Sequence, residues 1–276
     1  MRKRCLCANI RLWSFNLTQR VLFLGDIHAG SKSAVSLPEV VTDDGMTWKH
    51  NPLQEKLYDM WCEMVDYVGR VDAVVVNGDS VDGDDHKAKG LGAWTTDLDK
   101  QIDVAVELLK MIKCNKFFGT QGSNYHVNTN ISCDKMVMKK LNGQYAMNID
   151  LDVEDVTMHF RHNGGYSKNP QARPSKLRSS RMEANRNEHL TGHYQILGFS
   201  HAHNYSVSGG ANEKDGSDEW EICGPAWKWK DDFISSKSMD TPDIGYVLFY
   251  VEGEQYTWEQ YVRKIDVDIT TSRFRV

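Results

Sequence analysis

VLFLGDIH (21–28) and AVVVNGDS (73–80) share one pattern: four apolar residues, then Gly-Asp, which follows directly in the first and after Asn77 in the second. A run of four is too short for a helix, and reads as a buried β-strand stopped by glycine. Between the two, Leu53, Leu57, Trp61, Met64, Val65 and Val68 fall at helical spacing and predict a helix from Pro52 to Val68. A second helix is expected from about Thr96 to Met111, with Ile102, Val106, Leu109 and Ile112 on one face, and KFFGT (116–120) follows as a third strand. Strand, helix, strand, helix, strand requires parallel pairing through crossover helices. The polar segments 38–50 and 82–92 are expected to be loops.

The second half changes character. Segments 144–162, 195–207, 218–223, 245–251 and 256–265 read as strands, and only 170–190 reads as helical. No linker, repeat or low-complexity tract divides the halves. The expectation is one domain over 1–276, with residues 1–19 as an N-terminal extension and 166–190 as a basic insert or lid.

A net charge of −5 argues against a general nucleic-acid coat, while leaving room for a local basic groove. The six cysteines (5, 7, 62, 114, 133 and 223) lack paired zinc-ribbon spacing and read as reduced thiols of an intracellular protein. The basic start MRKRCLCANIRLWSFN is unlike a secretory signal, because Asn9 and Arg11 break its apolar stretch. No run approaches the ~18 apolar residues of a membrane span. A soluble, cytoplasmic protein is expected.

The carboxyl ends of strands are where open α/β sheets bind ligands. Past those ends stand Asp26 and His28, then Asn77 and Asp79, then Asn124 and His126 in GTQGSNYHV. HFRHNGG adds His159 and His162, and GFSHAHN adds His201 and His203. A single Gly-Asp after a strand is commonly only a turn. Five such termini carrying Asp, Asn or His are harder to assign to turns alone. That donor set suits manganese, iron or zinc in a site with open water positions. In an extended segment His201 and His203 would share a face about 7 Å apart, so each could serve a different ion of a pair roughly 3.5–4 Å apart. His162 suits a loop ligand, whereas His159 suits a structural role. His50, His86, His189 and His193 show no ligand spacing.

The order Asp-x-His, Gly-Asp, Asn/His loop, single His, His-x-His, spanning residues 25 to 203, resembles the calcineurin-like metallophosphoesterase superfamily. The later GPAWKWKDDF and DIGYVLFYV look like the tail of phosphoesterases found in bacteriophage genomes. The resemblance implies a four-layer α/β/β/α sandwich with two mixed sheets and a dinuclear site at the strand ends. By position, Asp26, His28 and His203 would hold one metal, His162 and His201 the other, and Asp79 would bridge them. The family's Asn ligand and phosphate-contacting His correspond to Asn124 and His126, here separated by Tyr125; Thr120 or a water could take the place of Asn124.

The chemistry so implied is hydrolysis of a phosphate ester by a hydroxide bridging two divalent ions, manganese first and iron or zinc as alternatives. Asp79 and His126 would be the catalytic residues, with His126 donating a proton to the leaving group. The basic stretch 166–186 carries Arg173, Arg178 and Arg181 as candidate substrate contacts, which favours a phosphodiesterase or nuclease acting on a nucleic acid. Its alternative is a solvated helix or mobile lid. Trp94, Trp227 and Trp229 could stack on bases or pack in the core. A phosphomonoesterase, a phosphoprotein phosphatase and a non-catalytic binding protein of the same fold are the competing readings.

Overall fold

The computed structural model describes residues 18–42, 45–84, 92–123, 132–164, 167, 169–186, 194–211, 218–230 and 241–265. Asn124 and His126 lie outside these residues, as do His86, His189, His193 and nearly all of the 1–19 extension.

The first half forms as its apolar spacing dictates. Strand β1 (Gln19–Leu24) is followed by a short hairpin, β2 (Glu39–Val41) and β3 (Thr47–Lys49). This hairpin corrects the expected loop over 38–50. Three residues per strand are too few to show alternation, and the turn is held by Thr42 Oγ1 donating to the Met46 carbonyl at 2.8 Å. Helix α1 (Pro52–Val68) starts on a capping box in which the Asn51 side chain accepts from the amides of Leu53 and Gln54. Strand β4 (Ala73–Val76), helix α2 (Leu98–Lys110) capped by Asp97, and strand β5 (Phe117–Thr120) follow. A further helix, α3 (Cys133–Lys140), was not signalled by periodicity, because only eight residues carry it and half are charged.

In the second half come β6 (Gln144–Ala146), β7 (Asn148–Val153) and β8 (Val156–Arg161). A short 3-10 turn (Pro170–Ala172) leads into α4 (Arg173–Arg186). The single strand expected over 195–207 is instead two, β9 (Ile196–Phe199) and β10 (Ser206–Ala211), separated by bends. Strands β11 (Asp218–Cys223), β12 (Ile244–Glu252) and β13 (Gln255–Arg263) complete the chain.

Both large sheets are mixed. One has the order β13-β12-β1-β4-β5-β6 and the other β10-β11-β9-β8-β7. β1, β4, β5 and β6 run parallel, as do β8, β9 and β11. The parallel strands therefore end together within each sheet, which gathers the residues that follow them.

Side-chain alternation explains how the layers adhere. Leu22, Leu24, Val74 and Val76 face the helices, packing with Leu57, Trp61, Ile102 and Leu109. Their neighbours Val21, Phe23 and Val75 face the second sheet and meet Val156, Met158, Phe160 and Ile196. Each such fully buried side chain stabilises by about 1.5–3 kcal/mol relative to exposure. On the outer face of the second sheet, Leu177 of α4 packs with Leu197, Phe199 and Cys223. Arg181 of the same helix pairs with Glu219 at 2.5 Å and Glu221 at 2.8 Å. Helix α4 is thus seated on the sheet by an apolar contact and two ion pairs. Among the described residues no helix is long and apolar enough to cross a membrane.

Candidate metal centre

Six of the residues nominated from strand ends converge. Asp26, His28 and His203 form one group, and Asp79, His162 and His201 form a second. Within each, one side-chain donor atom per residue lies within 4.8 Å of the others. His203 Nε2 is 3.3 Å from Asp26 Oδ1, and His28 Nε2 is 3.3 Å from His203 Nε2. In the second group His162 Nε2 is 3.0 Å from Asp79 Oδ2 and 3.3 Å from His201 Nδ1. The groups adjoin: His28 Nε2 is 4.0 Å from Asp79 Oδ2, and His162 Nε2 is 4.0 Å from Asp26 Oδ1.

The backbone accounts for this convergence. Asp26, His28, Asp79, His201 and His203 all have positive φ, between 49° and 67°. Such left-handed conformations are uncommon outside glycine, cost on the order of 1–3 kcal/mol each, and cluster at functional sites. They also replace the expectation that His201 and His203 share one face of an extended strand. Both sit in bends beyond β9, and their opposite assignments arise from two left-handed turns. Gly78 supplies a further requirement of the Gly-Asp motif. With φ of 75°, it leaves room for the His162 ring, which a Cβ would meet at 2.6 Å.

Hydrogen bonds beyond the six aim the rings. His162 Nδ1 lies 2.7 Å from the Asn77 carbonyl. A carbonyl only accepts, so Nδ1 keeps a proton and Nε2 is the nitrogen that faces inward, a ligand once its own proton is displaced. His28 Nδ1 meets Asp82 Oδ1 at 3.0 Å, and the same oxygen receives Lys228 Nζ at 2.7 Å. Asp26 Oδ2 accepts from the His201 amide at 2.9 Å. Asp79 accepts from the Ser123 amide at 2.7 Å and from its hydroxyl at 3.1 and 3.2 Å.

Asn77 ties the two sheets beneath the site. Its Nδ2 donates to the Arg161 carbonyl and to Ser200 Oγ, both at 3.0 Å, and its Oδ1 accepts from Thr120 Oγ1 at 2.8 Å. Thr120 therefore directs its hydroxyl to Asn77. Asp243 performs a similar task on the far side, accepting from the Tyr205 amide at 2.8 Å while its own amide donates to the His203 carbonyl at 2.8 Å.

The electrostatics of the centre favour a cation. Asp26 is fully buried, and its Oδ1 makes no hydrogen bond of good geometry among the described residues. Burial opposes its ionisation, but His203, His28 and His162 outweigh that effect and hold its carboxyl well below the usual range. Burial likewise opposes a charge on His162, yet the Asp79 carboxylate pushes this imidazole up to about 10. Two buried carboxylates thus draw positive charge into a space lined by imidazole nitrogens. A divalent cation satisfies that demand, and would occupy the orphaned Oδ1. The donor set, nitrogen and oxygen without thiolate, fits manganese, iron or zinc.

The other nominated residues stand apart. His159 pairs with Asp150 at 2.6 Å and packs on Tyr194. His50 Nε2 contacts the Ser36 carbonyl at 2.9 Å. Trp94, Trp227 and Trp229 are all buried, so none offers a free face to a base. Of the three candidate substrate arginines, Arg181 is engaged with the two glutamates, Arg173 Nε donates to the Ser167 carbonyl at 3.3 Å, and Arg178 is exposed. Sequence reasoning missed Asp82, Ser123 and Asp243. Only Asp82 carried a local signal, three residues beyond Asp79 in the same strand-end loop.

The sequence matches no protein-family model and no curated protein. Among solved structures the chain is similar to Vps29 from Chaetomium thermophilum, with a TM-score of 0.44 and 9% identity over 89% of this chain and 98% of that one. It is similar to a metallophosphoesterase from Sphaerobacter thermophilus, with a TM-score of 0.40 and 13% identity over 88% of each chain. A third similarity, to NAD nucleotidase from Haemophilus influenzae, has a TM-score of 0.35 and 7% identity, over 90% of this chain and 50% of that one.

Proposed function

We propose that the protein is a metal-dependent phosphoesterase of the calcineurin-like superfamily, similar to those of bacteriophage genomes and built as a four-layer α/β/β/α sandwich. The observation that carries this reading is the meeting of two carboxylate–imidazole groups around a buried, unsatisfied Asp26 oxygen. In it, Asp26, His28 and His203 would hold one divalent ion and His162, His201 and Asp79 the other, with Asp79 able to serve both. Manganese is the first candidate, and iron and zinc share the donor preference. Bound ions would supply Lewis acidity toward the phosphoryl oxygens and an acidified water.

The chain's own residues supply orientation and proton handling. The Asn77 carbonyl and Asp82 fix the inward nitrogens of His162 and His28. Ser123 holds the Asp79 carboxylate, and the His201 amide holds that of Asp26. His126, three residues beyond Ser123, is assigned the protonation of the leaving oxygen as water attacks phosphorus in line. Asn124, the residue after Ser123, is assigned an oxygen ligand.

Phosphodiesters, including nucleic acid, are the preferred substrate class, and a phosphomonoester the alternative. Exposed Lys176 and Arg178 on α4 support an extended anion, with Arg173 beside them. Arg181 is the least available of the three candidates because of its ion pairs. A cytoplasmic setting accords with free Cys62, Cys114, Cys133 and Cys223. The test is Asp79→Asn, assayed on a phosphodiester with manganese. Loss of at least a hundredfold is expected, and an unchanged rate would remove Asp79 from the site.

A further inference from the structure

Among the lysines and arginines described, Lys228 alone is buried, at 5% exposure. Burying an ammonium is costly unless it is paired. Its Nζ is 2.7 Å from Asp82 Oδ1, and that oxygen is also 3.0 Å from His28 Nδ1. The far side of the same ring faces the centre, with Nε2 3.3 Å from His203 Nε2 and 3.7 Å from Asp26 Oδ1.

Local sequence explains how a lysine arrives there. Residues 226–229 read Ala-Trp-Lys-Trp, with a bend at Trp227 between isolated bridges from Ala226 to Ile244 and from Lys228 to Ala34. Trp227 and Trp229 enter the helix-side core, where Trp227 meets Trp61 with ring centroids 4.8 Å apart. Lys228 points the other way, to Asp82. The segment is fastened to the loop that carries the ligands: the Trp227 amide donates to the Asp26 carbonyl at 3.0 Å, and the Trp229 amide to the Ser33 carbonyl at 2.7 Å. On the other partner, the Asp82 amide donates to the Ala29 carbonyl at 2.9 Å. Lysine and aspartate are therefore each held on a segment whose backbone is bonded to the one that carries His28.

We propose that Lys228 is a positioning residue for the first metal position: through Asp82 it fixes the His28 ring with Nε2 directed at Asp26 and His203. This role rests on the metal-centre reading above. The two positions are supported differently. His28 leans on a carboxylate that itself needs a cation, whereas His162 leans on the neutral carbonyl of Asn77. Removing the ammonium should consequently affect one ion and spare the other.

The test is manganese binding to the metal-stripped full chain, by equilibrium dialysis with elemental analysis. K228M would take the ammonium from a buried carboxylate, so the double variant D82N/K228M, which removes both charges, is measured beside it. Thermal unfolding of the metal-free proteins reports whether each variant folds. Wild type should bind two equivalents. In both variants one equivalent should weaken about 10–100-fold, as for other residues that orient a metal ligand, while the second stays within about threefold. Two equivalents at wild-type affinity in both variants would overturn the role. Equal weakening of both equivalents would overturn it too, since Lys228 would then act only on the fold. A wild-type chain that binds fewer than two ions would defeat the metal-centre reading itself, and this role with it.

Discussion

Replacing Asn77 by alanine should destabilise the protein far more than the loss of one small polar side chain would imply. Asn77 is fully buried and makes three side-chain hydrogen bonds, to Arg161 O, Ser200 Oγ and Thr120 Oγ1. The Thr120 hydroxyl can rotate toward another acceptor, and Ser200 Oγ loses one donor while keeping its own proton to give, so each lost bond costs about 1 kcal/mol. The Arg161 carbonyl cannot rotate, and leaving it unpaired costs about 1–3 kcal/mol. The sum is about 3–5 kcal/mol, which for a chain of this size lowers the melting temperature by roughly 10 °C. Urea unfolding of the metal-free protein, with thermal melting in parallel, would measure it, and the urea dependence should keep its slope while its midpoint falls. Asn77→Asp should do no better at neutral pH, since it keeps the acceptor for Thr120 but sets a carboxylate against the Arg161 carbonyl. A loss below about 1 kcal/mol for the alanine variant would refute the idea that Asn77 joins the sheets beneath the site.

Metal affinity should depend on pH with a definite sign. His162 is pushed up to about 10 in the metal-free fold, so at neutral pH a metal must displace its proton. Affinity should rise about tenfold per pH unit between pH 6.5 and 8.5. Stability of the metal-free protein should change the opposite way, with the His162 contribution full below about 6.5 and lost as pH rises through about 10. Calorimetric manganese titrations showing a pH-independent affinity would contradict this. Arg181→Met should destabilise by about 1–3 kcal/mol, because buried Glu221 would keep only the attraction of Arg178 and a hydrogen bond from Ser208; a neutral effect on unfolding would mean that α4 is not anchored by this pair. His159→Ala should cost stability through the lost Asp150 and Tyr194 contacts yet leave both manganese equivalents in place, whereas His162→Ala should lose one.

The legible parts of the fold were those whose side chains repeat. Four-residue apolar runs marked β1, β4 and β5, and apolar spacing marked α1 and α2 to within two residues. The β2–β3 hairpin and α3 were illegible because three-residue strands and an eight-residue charged helix owe their form to caps, turns and tertiary contacts. The site divides along the same line. Asp26, His28, Asp79, His162, His201 and His203 could be nominated because each follows a strand end. The physical reason offered for His201 and His203 failed, however, since left-handed bends and not strand alternation sort them. Lys228 meets Asp82 across 146 residues of sequence, and no local pattern announces such a contact. The left-handed backbone at five ligand positions is likewise invisible in one-dimensional sequence, as none of the five is glycine.

The most direct test of a dinuclear phosphoesterase is to strip the full chain of metal, restore manganese, and follow bound metal together with hydrolysis of bis-p-nitrophenyl phosphate and p-nitrophenyl phosphate. Two manganese ions per chain, with manganese-dependent turnover that favours the diester, is the expected result. A chain that binds no manganese and hydrolyses neither ester, with or without iron or zinc, would contradict it.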